Sequence, residues 1–278
     1  MSEAIITSRQ NPRAQYARAV RDGKEKKMIF AEGLRLCEEA VRSELEIVEA
    51  FFTDRIGRER RGAETLETVR RVATVSHAVS EDVLAAISDT PTPQGLILLA
   101  RRPDSSRQSF AEALPADPLL LVIMHGINNP ANAGAMTRVA EAAGASGVIV
   151  TIGSTDLFAP KALRGAMGSS FRLPVWQGVE FSDALAWCMA RGVQTVSTAL
   201  TAPLAHTAHD WTKACAIVVG AEAFGLTAKE SAATESSVRI PMRPPVESLN
   251  VAVALAVILY EAERQRSHAS LAQAKGKV

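Results

Sequence analysis

Three short stretches combine side chains that orient a reactant with one that can grip a phosphate. NNPANAGAMTR runs from Asn128 to Arg138, GAEAFGLT from Gly220 to Thr227, and IPMRPPVESLN from Ile240 to Asn250. Asparagine amides donate and accept hydrogen bonds without adding charge, whereas the planar guanidinium of Arg138 presents a fork of donors that matches phosphate oxygens. Such a set suits alignment of a polar group beside a nucleic-acid backbone. Taken singly, each stretch also has a structural reading: Asn132 as a helix cap, Glu222 as a neutraliser of a helix N-terminus, Ser248 as the cap of the last helix. What favours chemistry is that all three follow apolar strands.

Those strands belong to a pattern that begins at Leu119. LLLVIM, GVIVTI, VQTVSTA, ACAIVVG and VRIPM read as strands. ANAGAMTRVAEAAG, KALRGAMGSS, FSDALAWCMARG, TAKESAAT and the long SLNVAVALAVILYEAERQR read as helices. The strands with continuous apolar runs predict a parallel sheet covered on both faces, in which ligands bind beyond the carboxyl ends of the strands. A dinucleotide-dependent oxidoreductase would share that layout. However, no GxGxxG follows Met124 and no acidic residue ends GVIVTI.

The first hundred residues alternate polar helical segments with short strands, EIVEAFFT, TVSHAVS and QGLILLA, around the amphipathic helix EGLRLCEEAVRS, and predict a separate small α/β domain. RRPDSSRQSFAEALPADP reads as linker with one helical turn.

The chain has 278 residues, 47% hydrophobic and 22% charged, which is globular composition with room for two cores. No apolar run reaches the ~18 residues of a bilayer span, and MSEAIITSRQ lacks a signal-peptide core, so a cytoplasmic protein with no membrane partner is expected. Cys37, Cys188 and Cys215 are isolated and read as buried free thiols. His206 and His209 stand near Asp210 without a further ligand, so no metal is expected. Net charge is only +1, yet Arg9 to Lys27 holds seven basic residues against Asp22 and Glu25, and arginines cluster again at 55–61 and 70–71. Such clusters either neutralise phosphates of a nucleic acid or form solvated faces; Arg9, Arg13 and Arg18 are the candidate contacts.

The three stretches resemble the motifs of the SpoU branch of the SPOUT RNA methyltransferases. N-x-x-N-x-G-x-x-x-R is seen as Asn129, Asn132, Gly134 and Arg138, and G-x-E-x-x-G-L as Gly220, Glu222, Gly225 and Leu226. I-P-M with S-L-N is seen as Ile240, Pro241, Met242, Ser248, Leu249 and Asn250. TSRQNPR, FAEGLRLCEEAV and TPTPQGLILLA are similar to the L30e-like substrate-binding domain that precedes many ribosomal RNA members.

The resemblance implies an α/β fold: an L30e-like domain over 1–103, a linker over 104–118, a SPOUT domain with a parallel sheet over 119–268, and a disordered tail over 269–278. It also implies a C-terminal trefoil knot, which general rules of chain topology would reject. The implied activity is methyl transfer from S-adenosylmethionine to a ribose 2′-hydroxyl, in ribosomal RNA because of the appended domain. The alternatives are a tRNA substrate, or an RNA-binding protein that has lost turnover.

By the same resemblance Arg138, Asn132, Glu222, Ser248 and Asn250 form the catalytic set. Thr198, Ala199, Leu200, Gly220, Ile240, Met242 and Leu249 hold the cofactor. Arg138 also contacts RNA. An arginine is an expensive free base, because with an ordinary pKa of about 12.5 to 13.8 its neutral form costs on the order of 7 to 9 kcal/mol at pH 7. A guanidinium on the adjacent phosphate is the cheaper role. The sequence departs from the family at Ala223, Ala252 and Pro244, the last of which has no amide to give a cofactor. Val251 to Leu259 is apolar all round and needs cover, from a partner subunit or from the N-terminal domain; a homodimer is expected through this helix and the one at Asn132.

Overall fold

The computed structural model describes residues 4–116, 118–221 and 224–275. The chain forms two compact units, Met1–Pro103 with Leu157–Arg172, and Asp104–Asp156 with Leu173–Val278.

In the first unit, α1 (Pro12–Arg21) starts where Asn11 accepts a hydrogen bond from the Arg13 N–H at 2.8 Å and Pro12 occupies the first turn, where no amide is needed. Its inner face, Ala14, Ala17 and Val20, is buried. There follow β1 (Met28–Glu32), α2 (Leu34–Arg42), β2 (Ile47–Phe52), α3 (Arg60–Val72), β3 (Val75–Ala78), α4 (Glu81–Ile87) and β4 (Leu96–Arg101). The sheet order is β1-β4-β2-β3; β4 runs antiparallel to both neighbours and β3 parallel to β2. Two buried carboxylates are both satisfied. Glu49 meets Arg13 and His77, each at 3.0 Å, and Glu32 accepts from Ser88, the Asp89 N–H and Thr90.

The second unit opens inside the stretch expected as linker. That expectation is corrected: α5 (Arg107–Ala113) is capped by Ser106, and Phe110 is buried against Trp176 and Trp187, with ring centroids 6.1 and 5.6 Å away. Polar, proline-rich composition hid one aromatic anchor. β5 (Leu120–Met124), α6 (Pro130–Ala142) and β6 (Gly147–Thr151) come next. The single helix expected over KALRGAMGSS is two, α7 (Pro160–Ala166) and α8 (Ser169–Arg172), because Met167 and Gly168 take positive φ; both pieces belong to the first unit. The chain continues through β7 (Val175–Val179), α9 (Phe181–Ala190), β8 (Gln194–Thr198), β9 (Leu204–Ala205), β10 (Cys215–Val219), α10 (Ala228–Ala232), β11 (Ser236–Arg239) and α11 (Val251–Lys275).

The strand expected through Met242 stops at Arg239, and residues 269–275, expected as a disordered tail, continue α11 as helix. The remainder of that tail lies outside the described residues.

The seven strands of the second unit are all parallel, in the order β7-β6-β5-β10-β8-β11-β9. β5, β6 and β10 are buried at every position. Leu121, Ile123, Ile149, Ala216 and Val218 face a core with α5 and α9, and the alternate residues point to the opposite face. All three cysteines are buried and free; burial pushes the thiols of Cys188 and Cys215 up to about 12 and about 11. Among the described residues no helix is long and apolar enough to cross a membrane.

Candidate active site

The parallel register brings the carboxyl ends of β5, β10, β8 and β11 side by side, since these four strands are neighbours in the sheet. The segments after them are the first motif, the second motif, Thr198 to Leu200, and the third motif. Stretches as far apart in sequence as Asn128 and Asn250 therefore share one edge.

Asn129 caps α6, its side chain accepting from the Ala131 N–H at 3.0 Å. Asn132 is thereby left free of the capping role and accepts from Asn250 Nδ2 at 3.2 Å, which joins the first motif to the third. Asn250 in turn caps α11, taking the amides of Ala252 and Val253 at 2.9 and 3.4 Å. The cap of the last helix is thus Asn250, and Ser248 is exposed beside it. Arg138 is exposed on α6, whose other face buries Ala133, Met136, Thr137 and Ala140; among the described residues it has no hydrogen bond or ion pair. An exposed guanidinium left without a counter-ion is available to a phosphate.

Gly220 follows β10 directly, where the chain doubles back over it. A Cβ there would lie 2.4 Å from the carbonyl carbon of Gly225 and 2.5 Å from the nitrogen of Leu226, so only glycine lets the loop close. The closure is a bond from the Gly225 N–H to the Ala221 carbonyl at 2.7 Å, with Gly225 at φ +64°. Glu222 lies outside the described residues. After β8, the Ala199 N–H donates to the Val238 carbonyl at 3.0 Å. The Arg239 guanidinium donates to the carbonyls of Ala202 (2.6 Å) and Pro203, which ties this loop to the strand leading into Ile240 and Met242. The Val246 N–H closes a turn to the Arg243 carbonyl at 3.2 Å across Pro244 and Pro245. Leu200 and Leu249 are 59% and 39% exposed and Met242 is half-buried, so apolar side chains remain uncovered next to loop backbone. Backbone polar groups, a glycine turn and open apolar side chains suit a small ligand with a flat apolar part and polar ends.

Sequence reasoning passed over His125, which follows β5 directly. Its Nδ1 is 2.9 Å from Thr151 Oγ1, its Nε2 is 3.0 Å from Glu230 Oε1, and its ring lies 4.3 Å from that of Phe181. A histidine outside any motif offers no signal until the fold supplies its partners.

The RNA contacts expected on the N-terminal segment are partly engaged already. Arg13 is bound to buried Glu49 and Arg9 lies 3.7 Å from Asp82. Arg18 lies in the last turn of α1, on the stretch of the first unit that the sequence singled out by charge. The first unit also holds a cleft of about 650 Å³ whose walls include Arg35, Arg55, Arg58, Thr92 and Gln94. Arg61 on the same wall is neutralised by Glu38, whereas Arg35 and Arg58 have no ion pair among the described residues. No cluster of three or more metal-ligating side chains is found among the described residues.

Comparison with known proteins agrees with this geometry. Residues 119–260 match the SpoU rRNA methylase family model, and residues 11–98 match the MRM3-like substrate-binding domain. The chain is 32% identical over 82% of its length to the 23S rRNA (guanosine(2553)-2′-O)-methyltransferase RlmP of Bacillus subtilis, of which 86% is covered. It is 30% identical to an uncharacterized tRNA/rRNA methyltransferase of Synechocystis, over 96% of each chain. Among solved structures it superposes on the SpoU methyltransferase AviRb from Streptomyces viridochromogenes in complex with AdoMet with a TM-score of 0.82 at 26% identity, covering 93% of this chain and 99% of that one. With the segments after β5, β10, β8 and β11 side by side at one edge of a parallel sheet and the family model matched over residues 119–260, the chain belongs to the SpoU rRNA methylase family.

Proposed function

We propose that this protein is an S-adenosylmethionine-dependent methyltransferase acting on a ribose 2′-hydroxyl of ribosomal RNA. The observation that carries the reading is the convergence, on one sheet edge, of the Asn132–Asn250 pair and the Gly220 turn, with an exposed, unpaired Arg138 further along α6, the helix that starts at that edge. The cofactor, when bound, supplies an electrophilic methyl group. Thr198, Ala199, Leu200, Gly220, Ile240, Met242 and Leu249 are the residues assigned to hold it, and the open apolar side chains of Leu200, Met242 and Leu249 suit an adenosine portion.

The chain's own residues then align the acceptor. Arg138 grips the phosphate next to the target ribose, which fixes the 2′-hydroxyl and lets a phosphate oxygen or water receive its proton. Asn132 and Asn250, bonded to each other, fix the start of α6, the helix that carries Arg138, without adding charge. Glu222 and Ser248 complete the assigned set. Support for ribosomal RNA as substrate comes from the relatives named for it and from the substrate-binding unit in front. In that unit the cleft lined by Arg35, Arg55 and Arg58 is a stronger candidate for phosphate contact than Arg9 and Arg13, which already have carboxylate neighbours.

The homodimer belongs to this proposal. α11 buries Ala252, Leu255, Ile258, Leu259 and Ala262, while Val253, Val257 and Tyr260 form an exposed stripe at helical spacing. A second copy would cover that stripe. Sedimentation at micromolar concentration should give twice the chain mass, and a monomer that still methylates RNA would sink the dimer. Calorimetric titration with S-adenosylmethionine, followed by transfer of labelled methyl to total RNA, tests the activity. Binding without transfer would leave an RNA-binding protein that has lost turnover, and no binding would remove the cofactor assignment.

A further inference from the structure

Both ends of the loop Gly220–Thr227 are fastened to one residue that no motif contains. At the start, the His125 backbone N–H donates to the Val219 carbonyl at 2.9 Å. At the end, Thr227 and Glu230 form a reciprocal capping box. The Glu230 N–H donates to Thr227 Oγ1 at 3.2 Å, and Glu230 Oε2 accepts from the Thr227 N–H at 2.7 Å. The other oxygen of the same carboxylate, Oε1, meets His125 Nε2 at 3.0 Å.

The imidazole is itself held in place, by Thr151 Oγ1 at the end of β6 and by the Phe181 ring at the start of α9. One side chain therefore runs as a strut from the sheet edge to the far end of the loop.

The strut matters because the elements around it are weak. α10 has five residues, too few to persist as an isolated helix, so its position depends on its cap and its tertiary contacts. The loop before it has glycine at 220 and at 225, positions with no side chain to pack, and among the described residues it is closed by a backbone bond from the Gly225 N–H to the Ala221 carbonyl. The Thr227 amide and hydroxyl, together with His125, hold the Glu230 carboxyl below the usual carboxylate range; the ionised carboxylate can only accept, so Nε2 is the donor.

We propose that His125 is a positioning residue for the cofactor loop: through Glu230 it fixes where the loop Gly220–Thr227 ends, and so sets the affinity for S-adenosylmethionine. This rests on the reading of the edge as the cofactor site. Without the strut, the loop must be ordered at the moment of binding, and that cost is subtracted from affinity. His125 touches neither cofactor nor RNA in this account; it acts through Glu230.

The test is calorimetric titration of the full-length protein with S-adenosylmethionine for wild type, His125→Ala, His125→Gln and Glu230→Ala, with thermal melts of each. His125→Ala and Glu230→Ala should each weaken binding by about tenfold, the scale of one lost ordering contact. Affinity for a ribosomal RNA fragment should stay near the wild-type value. His125→Gln, whose amide N–H can still donate to Glu230, should recover most of the loss even though it cannot stack on Phe181. The proposal is overturned if the alanine variants melt earlier but bind the cofactor as wild type does, or if His125→Gln is as weak as His125→Ala. Should His125→Ala fail to fold, Glu230→Ala and His125→Gln decide the matter alone. A wild-type protein that does not bind the cofactor overturns the site reading itself, an outcome distinct from a wild type that binds and variants that do not differ from it.

Discussion

Arg138 carries the account at the scale of single residues, and its geometry rather than its charge is what the site requires. Arg138→Ala should abolish methyl transfer while leaving cofactor affinity within a few-fold, because the side chain stands exposed on α6 and is assigned to the RNA phosphate rather than to the methyl donor. Arg138→Lys should also fail substantially, since lysine keeps the charge but loses the planar fork; near-normal turnover of the lysine variant would refute the phosphate-gripping role. A second residue-scale prediction concerns pH. Burial of His209, edge-on to Trp211 and with Nε2 lacking a partner, depresses its pKa below the ordinary value. The unfolded chain therefore takes up a proton as pH falls below about 6.5 while the folded chain resists it, so this contribution is complete above that pH and is lost on acidification toward the folded pKa. Melting temperature should fall between pH 7.5 and 5.5, and His209→Gln should flatten that fall. Equal slopes for the two proteins would assign the loss to other groups.

Secondary-structure elements were legible where periodicity was strong and obscure where one side chain decides. The strands β5, β6 and β10 were evident from continuous apolar runs, and the motifs after β5, β10 and β11 located three of the four loops of the edge. What a linear pattern cannot express is which loop closes onto which. That Asn132 meets Asn250 depends on α6 packing against α11, and that His125 meets Glu230 depends on strand order. Composition suggested a helical turn at α5 but not its packing, where a single phenylalanine among serines, arginines and prolines supplies the anchor, nor the break between α7 and α8, which is a matter of backbone φ at Met167 and Gly168. If α5 is a packed part of the second unit, Phe110→Ala should destabilise it by about 3 to 5 kcal/mol, as for other buried aromatic truncations. Denaturant unfolding followed by the fluorescence of Trp176 and Trp187 would measure this. A change below about 1 kcal/mol, the level of an ordinary surface substitution, would restore the segment to a linker.

For the molecule as a whole, the proposed function divides the work between the two units: substrate RNA is assigned to the first, the cofactor and the reacting ribose to the second. Replacing Arg35, Arg55 and Arg58 together by alanine should weaken RNA binding and reduce the slope of log affinity against log salt by about 2, given about 0.7 per phosphate contact on single strands. Cofactor affinity should be untouched. The same triple change at Arg9, Arg13 and Arg18 should alter the slope less, since Arg13 and Arg9 are already engaged with Glu49 and Asp82. The reverse ranking would return the RNA surface to α1. The most direct test of the central claim is to methylate ribosomal RNA with the purified protein and labelled S-adenosylmethionine, digest the product to nucleosides and identify the labelled species by mass spectrometry. The account predicts label in a 2′-O-methylated nucleoside, present with wild type and absent with Arg138→Ala; label on a base, or an undiminished 2′-O-methyl signal from the alanine variant, would contradict it.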